Sequence, residues 1–254
     1  APLATQQTDL GGGRRLIETY TLEGQLGLLW QGPSDAEDVV LCAAGGMGGY
    51  LGPADGLYTH LGETLAGTSC AVVCVDYRRP SHLESSLLDL AATADRAVQQ
   101  GARRFVVLGH SFGGAVAIQA GCALGPYCAG VATFATQSAG CEQAGQLAAP
   151  LLLFHGAQDR ILGPENSEIV RSLAGQGEVR VFDGADHLLT EVADLGAVLD
   201  AFAARQLFAW SFGGLVGDPP LEQVLLEDVA LLSQALLSSV REYHPDSMHP
   251  EADD

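Results

Sequence analysis

The chain has 254 residues, 47% of them hydrophobic, and a formal net charge of −19. That is enough apolar material for one large α/β core, and no apolar run reaches the length of a membrane span. All twelve basic residues are arginine, and so acidic a surface repels nucleic acid and anionic membrane, so neither is expected as a partner. No basic stretch followed by an apolar one opens the chain, so no secretory signal is read there. The six cysteines show no C-x-x-C or paired metal spacing. Cys42, Cys70 and Cys74 lie in apolar runs, where a free thiol behaves as a small hydrophobe. Cys122 and Cys128 are a candidate bridge, but a reduced, cytoplasmic setting without a bound metal is the expectation.

Residues 1–13 are polar, end in three glycines and read as a loose leader. Arg14–Tyr20 and Gln25–Gln31 read as an antiparallel hairpin, and Val39–Ala43 as a short buried strand. A glycine cluster, Gly45-Gly46-Met47-Gly48-Gly49, precedes a helix over Ala54–Ala66. Cys70–Val75 is the next buried strand and closes on Asp76-Tyr77-Arg78. Apolar residues at Leu87, Leu90, Ala91, Ala94 and Val98 give Leu83–Gln100 the period of a helix. Strands then follow at Phe105–Leu108, Ala129–Ala135, Leu151–His155 and Glu178–Phe182. Helices follow the first, third and fourth of these, at about 112–124, at Pro164–Ala174 with Pro in its first turn, and at Leu188–Arg205. Strands alternating with helices through short loops indicate a mostly parallel sheet covered on both faces.

Gly109-His110-Ser111-Phe112-Gly113 joins an apolar strand to a helix of small residues and matches G-x-S-x-G. A serine at the tip of such a turn holds its hydroxyl clear of the backbone. Crowding there demands glycine two positions either side, and the helix start aims free N–H groups at a developing negative charge. With these residues the chain resembles the α/β-hydrolase superfamily, over about Arg14 to Arg205. The resemblance implies an α/β-hydrolase fold, an eight-stranded, mostly parallel sheet with helices on both faces in a three-layer sandwich.

It also implies roles. Serine needs a base, and the base needs a partner that holds its tautomer. In the family's order of Ser, acid, His, the nucleophile is Ser111, the acid Asp159 in the loop after Leu151–His155, and the base His187 after Glu178–Phe182. Glu142, Asp183 and Asp186 are competing acids. Gly45-Gly46-Met47-Gly48-Gly49 resembles the family's H-G-x-G-G with Gly45 in place of His, which makes the N–H groups of Met47 and Phe112 the oxyanion donors. Asp76-Tyr77-Arg78 resembles its D-x-R segment, followed by Arg79-Pro80-Ser81 instead of G-x-G, and Arg78 is expected to pair within the loop. The stretch between Phe134 and Leu151 is too short for an inserted cap, so the site is expected to be open. From loop position, Met47, Tyr50, Leu51, Gln137, Ile161 and Leu188 are expected to line it.

The domain reading is a leader at 1–13, a hydrolase domain over 14–205, a helical extension at 206–243 and an acidic tail at 244–254. Apolar residues recur every three or four positions in Leu221–Tyr243, which reads as a helix. That helix packs on the body, forms a homodimer or covers the cleft; the pattern leaves all three open. The expected activity is cleavage of small to medium carboxylic esters through an acyl-enzyme, without cofactor. A thioesterase, dienelactone hydrolase or acyltransferase would use the same triad, as would a cofactor-free haloperoxidase-like enzyme. A non-catalytic ligand- or partner-binding protein is the alternative of another class.

Overall fold

The computed structural model describes residues 2–192 together with Leu195, Gly196 and Leu199. The extension at 206–243, its dimer, lid and packing readings, and the tail at 244–254 lie outside the described residues.

Nine strands form one sheet in the order β1-β2-β3-β5-β4-β6-β7-β8-β9. β1 (Ala4–Gly11), β2 (Arg14–Thr21) and β3 (Gly24–Gln31) run antiparallel at one edge, and β3 joins β5 (Cys70–Asp76) antiparallel. The other strands, β4 (Asp38–Ala43), β6 (Arg104–His110), β7 (Cys128–Phe134), β8 (Leu151–Gly156) and β9 (Glu178–Phe182), run parallel to one another and to β5. The sheet thus has one strand more than expected, and it comes from the stretch read as a loose leader. All eight residues of β1 are exposed, so it has no apolar face to show in a sequence. It is held by backbone pairing to β2 and by side-chain bonds such as Gln6 Nε2 to Glu18 Oε2 at 2.7 Å.

The parallel strands form for the opposite reason. β4 and β8 are buried at every position, and β5 and β6 at all but one end residue. Continuous Val, Leu, Phe and Cys runs suit a sheet covered on both faces. Helices α1 (Leu57–Thr64), α2 (Leu83–Gln99), α3 (Phe112–Leu124) and α4 (Glu165–Ala174) supply the cover. α3 is buried along most of its length, including Ala115, Val116, Ala117 and Ile118. The helix read from Leu188 begins later: His187–Glu191 is mostly turn, and helical residues are found at Leu195, Gly196 and Leu199.

Two features of this sheet position the site. β4 lies between β5 and β6, so the chain leaves it toward one edge and later returns on the other side. A crevice opens at the carboxyl ends of the strands where the winding reverses. Farther along, Phe134, Phe154 and Phe182 stack on successive strands with ring centroids 5.3 and 6.0 Å apart. They form a rigid apolar floor beneath the loops that leave β7, β8 and β9. All six cysteines are free, and Cys122–Cys128 is not a disulfide.

Candidate active site

Ser111 stands between β6 and α3 with φ 56° and ψ −118°. Serine at a helix start ordinarily turns its hydroxyl onto the first N–H groups as a cap, yet here it makes no cap bond. The strained backbone aims it elsewhere and leaves the first N–H groups of α3, Phe112 foremost, without an intrahelical acceptor. Both flanking glycines are sterically required: a Cβ on Gly109 would run into the Gly113 carbonyl, and one on Gly113 into the Ala43 and Ala44 carbonyls. The end of β7 clamps the turn, with Ser111 N–H donating to Phe134 O at 2.8 Å and Gln137 N–H donating to Ser111 O at 3.3 Å.

Asp159 and His187, 28 residues apart, meet because their loops are bonded together. Ala157 N–H donates to Phe182 O and Gln158 N–H to Ala185 O, at 3.0 and 2.9 Å. A Cβ on Gly156 would strike the carbonyls of Ala185 and Asp186, so glycine lets the histidine loop lie directly over the end of β8. His187 Nδ1 donates to Asp159 Oδ2 at 2.7 Å. A carboxylate can only accept, so the proton sits on Nδ1 and the Nε2 lone pair is free. Asp159 Oδ1 accepts from the N–H groups of Ile161 and Leu162 at 2.8 and 2.9 Å. Burial alone would raise this carboxyl. The Leu162 N–H, the His187 ring N–H and the Ile161 N–H outweigh it and hold Asp159 below its ordinary value.

Two further histidines brace this pair. His155 is fully buried, and its Nε2 faces two acceptors, Leu162 O at 2.9 Å and Asp159 Oδ2 at 3.3 Å. That ring nitrogen therefore carries the hydrogen, and Nδ1 accepts from Ser167 Oγ at 2.7 Å. His110, the residue before Ser111, donates from Nε2 to the His187 carbonyl at 3.0 Å, with the rings 5.0 Å apart. Burial lowers His110 to about 4, outweighing the bond to His187, so it is neutral at neutral pH. His187 is thus docked beside the elbow; among the described residues Ser111 Oγ has no hydrogen-bond partner.

The competing acids stand elsewhere. Glu142 is exposed and accepts from the Gly140 N–H at 3.1 Å. Asp186 is exposed and accepts from the Leu188 N–H at 2.8 Å, which shapes the histidine loop, and Asp183 is exposed. Arg78 pairs with buried Asp89 and with Glu23, tying the loop after β5 to the β2–β3 turn.

The glycine loop after β4 packs against the same elbow. A Cβ on Gly46 would lie 3.7 Å from Phe112 Cβ, and one on Gly45 would lie 3.2 Å from His110 Nδ1. The place where the family often carries a histidine is therefore crowded by His110, and glycine suits it. Of the expected lining residues, Met47, Leu51, Ile161 and Leu188 are 96, 62, 72 and 50% exposed, on the loops that follow β4, β8 and β9. Gln137 is half-buried beside Ser111. Tyr50 is turned toward the sheet, with its hydroxyl against Gly27 of β3, and burial followed by the nearby Asp76 and Glu18 charges raises it to about 12. His110 and His155 match positions the family uses structurally, but the bond of His155 to Ser167 and the anchoring of the glycine loop by Asp76 and Ser81 have no signal in the sequence. The D-x-R resemblance pointed to the right segment, but no local pattern marks a serine that reaches across to another loop.

A serine elbow at the switch point of a parallel sheet, with a histidine–aspartate pair on the neighbouring loops, defines a protein of the α/β-hydrolase class. The chain belongs to the alpha/beta hydrolase family, whose pattern matches residues 39–166. No curated protein matches it in sequence. Among solved structures, Est1E from Butyrivibrio proteoclasticus superposes with a TM-score of 0.62 at 14% identity, over 76% of this chain and 99% of that one. The thioesterase domain from the curacin biosynthetic pathway gives 0.56 at 14% identity, over 79% and 99%. An alpha-beta serine hydrolase homologue from Coxiella burnetii gives 0.56 at 18%, over 82% and 98%. At such identities the likeness is one of fold.

Proposed function

We propose that the protein is a serine hydrolase that cleaves carboxylic esters of small to medium size. The observation that carries this reading is the His187 Nδ1 to Asp159 Oδ2 bond of 2.7 Å on loops docked against the Ser111 turn. Ser111 Oγ attacks the ester carbonyl as its proton passes to His187 Nε2. Asp159 stabilises the resulting imidazolium, and the N–H groups of Phe112 and Met47 receive the oxyanion. The imidazolium then protonates the departing alcohol. Water, deprotonated by His187, attacks the acyl-enzyme, and the returning proton frees Ser111 and the carboxylic acid. The chemistry calls for neither metal nor organic cofactor. The exposed apolar side chains of Met47, Leu51, Ile161 and Leu188 suit an uncharged acyl group.

The test is a panel of p-nitrophenyl esters of rising acyl length, with an aromatic acyl ester included because one solved neighbour is Est1E with ferulic acid bound. It is run on wild type and on Ser111→Ala, with fluorophosphonate labelling in parallel. Ser111→Ala is expected to lose kcat by roughly 10⁴–10⁶ and to lose the label. Equal turnover in both proteins sinks the mechanism, and a folded wild type that neither labels nor turns over favours a ligand- or partner-binding protein. A thioester substrate is the second reading, favoured by the thioesterase domain among the neighbours. Acyl-thioester analogues in the same panel separate it by kcat/KM.

A further inference from the structure

The N–H of Met47 belongs to the same peptide as the carbonyl of Gly46. In a trans peptide the two groups point to opposite sides, so whatever fixes the carbonyl also fixes the N–H. Ser81 Oγ donates to Gly46 O at 2.7 Å, from the loop that follows β5. A Cβ on Gly46 would lie 2.8 Å from Ser81 Oγ and 3.7 Å from Phe112 Cβ. Gly46 is therefore wedged between this hydroxyl and the residue that carries the other oxyanion N–H.

Ser81 holds that position at φ 64°, left-handed backbone that a serine rarely adopts, although it is exposed. Strain of this kind persists where surrounding structure over-determines it and is a pointer to function. The loop it touches has little stiffness of its own. Gly48 and Gly49 lie at φ 77° and 96°, and the turn is closed by Gly48 N–H donating to Gly45 O at 2.9 Å. A second tether holds the far side, where Gly49 N–H donates to Asp76 Oδ1 at 2.8 Å. The Gly46–Met47 peptide lies between the two tethers. A rotation there would exchange an N–H donor for a carbonyl oxygen, which repels a developing oxyanion.

We propose that Ser81 is a positioning residue of the oxyanion hole, its hydroxyl holding the Gly46 carbonyl to one side so that the Met47 N–H faces the substrate oxygen. The inference rests on the serine-hydrolase reading above. It is specific to the hydroxyl, since Ser81 touches neither the nucleophile nor the histidine–aspartate pair among the described hydrogen bonds.

Two variants separate the hydroxyl from the backbone. Ser81→Ala removes the donor and keeps a side chain at positive φ, whereas Ser81→Gly removes the donor and relieves the backbone. Removing an oxyanion donor outright lowers kcat by about 10²–10³; freeing one to rotate is expected to lower it by roughly 5–50-fold. Both variants should show this loss with KM within about two-fold of wild type, since the interaction is made in the transition state. Affinity for phenylboronic acid, whose tetrahedral adduct with serine places an anionic oxygen in the hole, should fall by a similar factor. The proposal is overturned if either variant keeps wild-type kcat, if Ser81→Gly recovers what Ser81→Ala loses, or if the change is in KM alone. A wild type that neither hydrolyses esters nor takes a fluorophosphonate removes the hydrolase reading itself and the positioning role with it. An active wild type matched by both variants removes only the role of Ser81.

Discussion

Asp159 is held at both oxygens, Oδ1 by two backbone N–H groups and Oδ2 by His187, with His155 Nε2 3.3 Å from Oδ2. Replacing it with Asn leaves the shape but substitutes a group that can donate where only an acceptor fixes the histidine tautomer. Asp159→Asn is expected to lower kcat by roughly 10²–10⁴, less than Ser111→Ala, and Glu142→Gln to leave it unchanged. The reverse pattern in ester hydrolysis would assign the acid to Glu142. His110 gives a prediction of a different kind. Below about pH 6.5 an unfolded chain takes a proton on this imidazole that the folded chain refuses until about 4. Its contribution to stability is therefore complete above the upper value and is lost downward through that window, about 3 kcal/mol in all. Asp159, held below its ordinary value, loses its contribution as pH falls below that ordinary value, at the acid end of the same descent. His110→Gln keeps a donor for the His187 carbonyl and does not titrate. Urea unfolding at pH 7 and pH 5 should show wild type losing about 2 kcal/mol more than this variant, and equal losses would contradict the buried neutral histidine.

Among the elements, the strands differ in how plainly a sequence declares them. β4, β5, β6 and β8 are continuous apolar runs because both faces are covered. β1 is the opposite case, Ala-Thr-Gln-Gln-Thr-Asp-Leu-Gly with every residue exposed. It is a strand only because β2 offers a free edge, and hydrogen bonding to an edge leaves no mark on side-chain pattern. Such a strand contributes little buried area. A chain lacking residues 2–11 should keep kcat within about two-fold and lose only about 1–2 kcal/mol, read as a melting temperature a few degrees lower. A ten-fold loss of activity would show that β1 reaches the site. The start of α3 shows how one element serves two ends. Gly114 lets it press on Thr136 at the end of β7, where a Cβ would clash, while its first residue follows directly on the Ser111 turn.

At the scale of the whole molecule, the chain carries a formal net charge of −19. Long-range repulsion lowers encounter with an anionic ester and leaves a neutral one untouched, and salt screens it within roughly 10 Å at 0.1 M. Raising ionic strength from 0.02 to 0.5 M should therefore increase kcat/KM for an ester bearing a carboxylate several-fold relative to its uncharged counterpart. Equal salt responses would mean that the acidic surface does not govern access. The same scale explains the site's location: Ser111, the glycine loop, Asp159 and His187 all leave the carboxyl ends of parallel strands, gathered where β4 separates β5 from β6.

By itself the sequence determined the fold class and the G-x-S-x-G turn at Ser111, and its likeness to the family pointed to the acid and histidine loops. Each of these is written in local terms: apolar runs for doubly covered strands, glycines where a Cβ cannot fit, and polar residues just past strand ends. The family's order points to Asp159 as the acid, with Glu142, Asp183 and Asp186 as competitors. Only the tertiary structure decided among them, because the choice depends on two loops bonded across 28 residues. The placing of His110 under the His187 carbonyl, the bracing of Asp159 by His155 and the reach of Ser81 to Gly46 were decided there too. Contacts between segments distant in the chain follow from the packing of the sheet and leave no periodic trace along it.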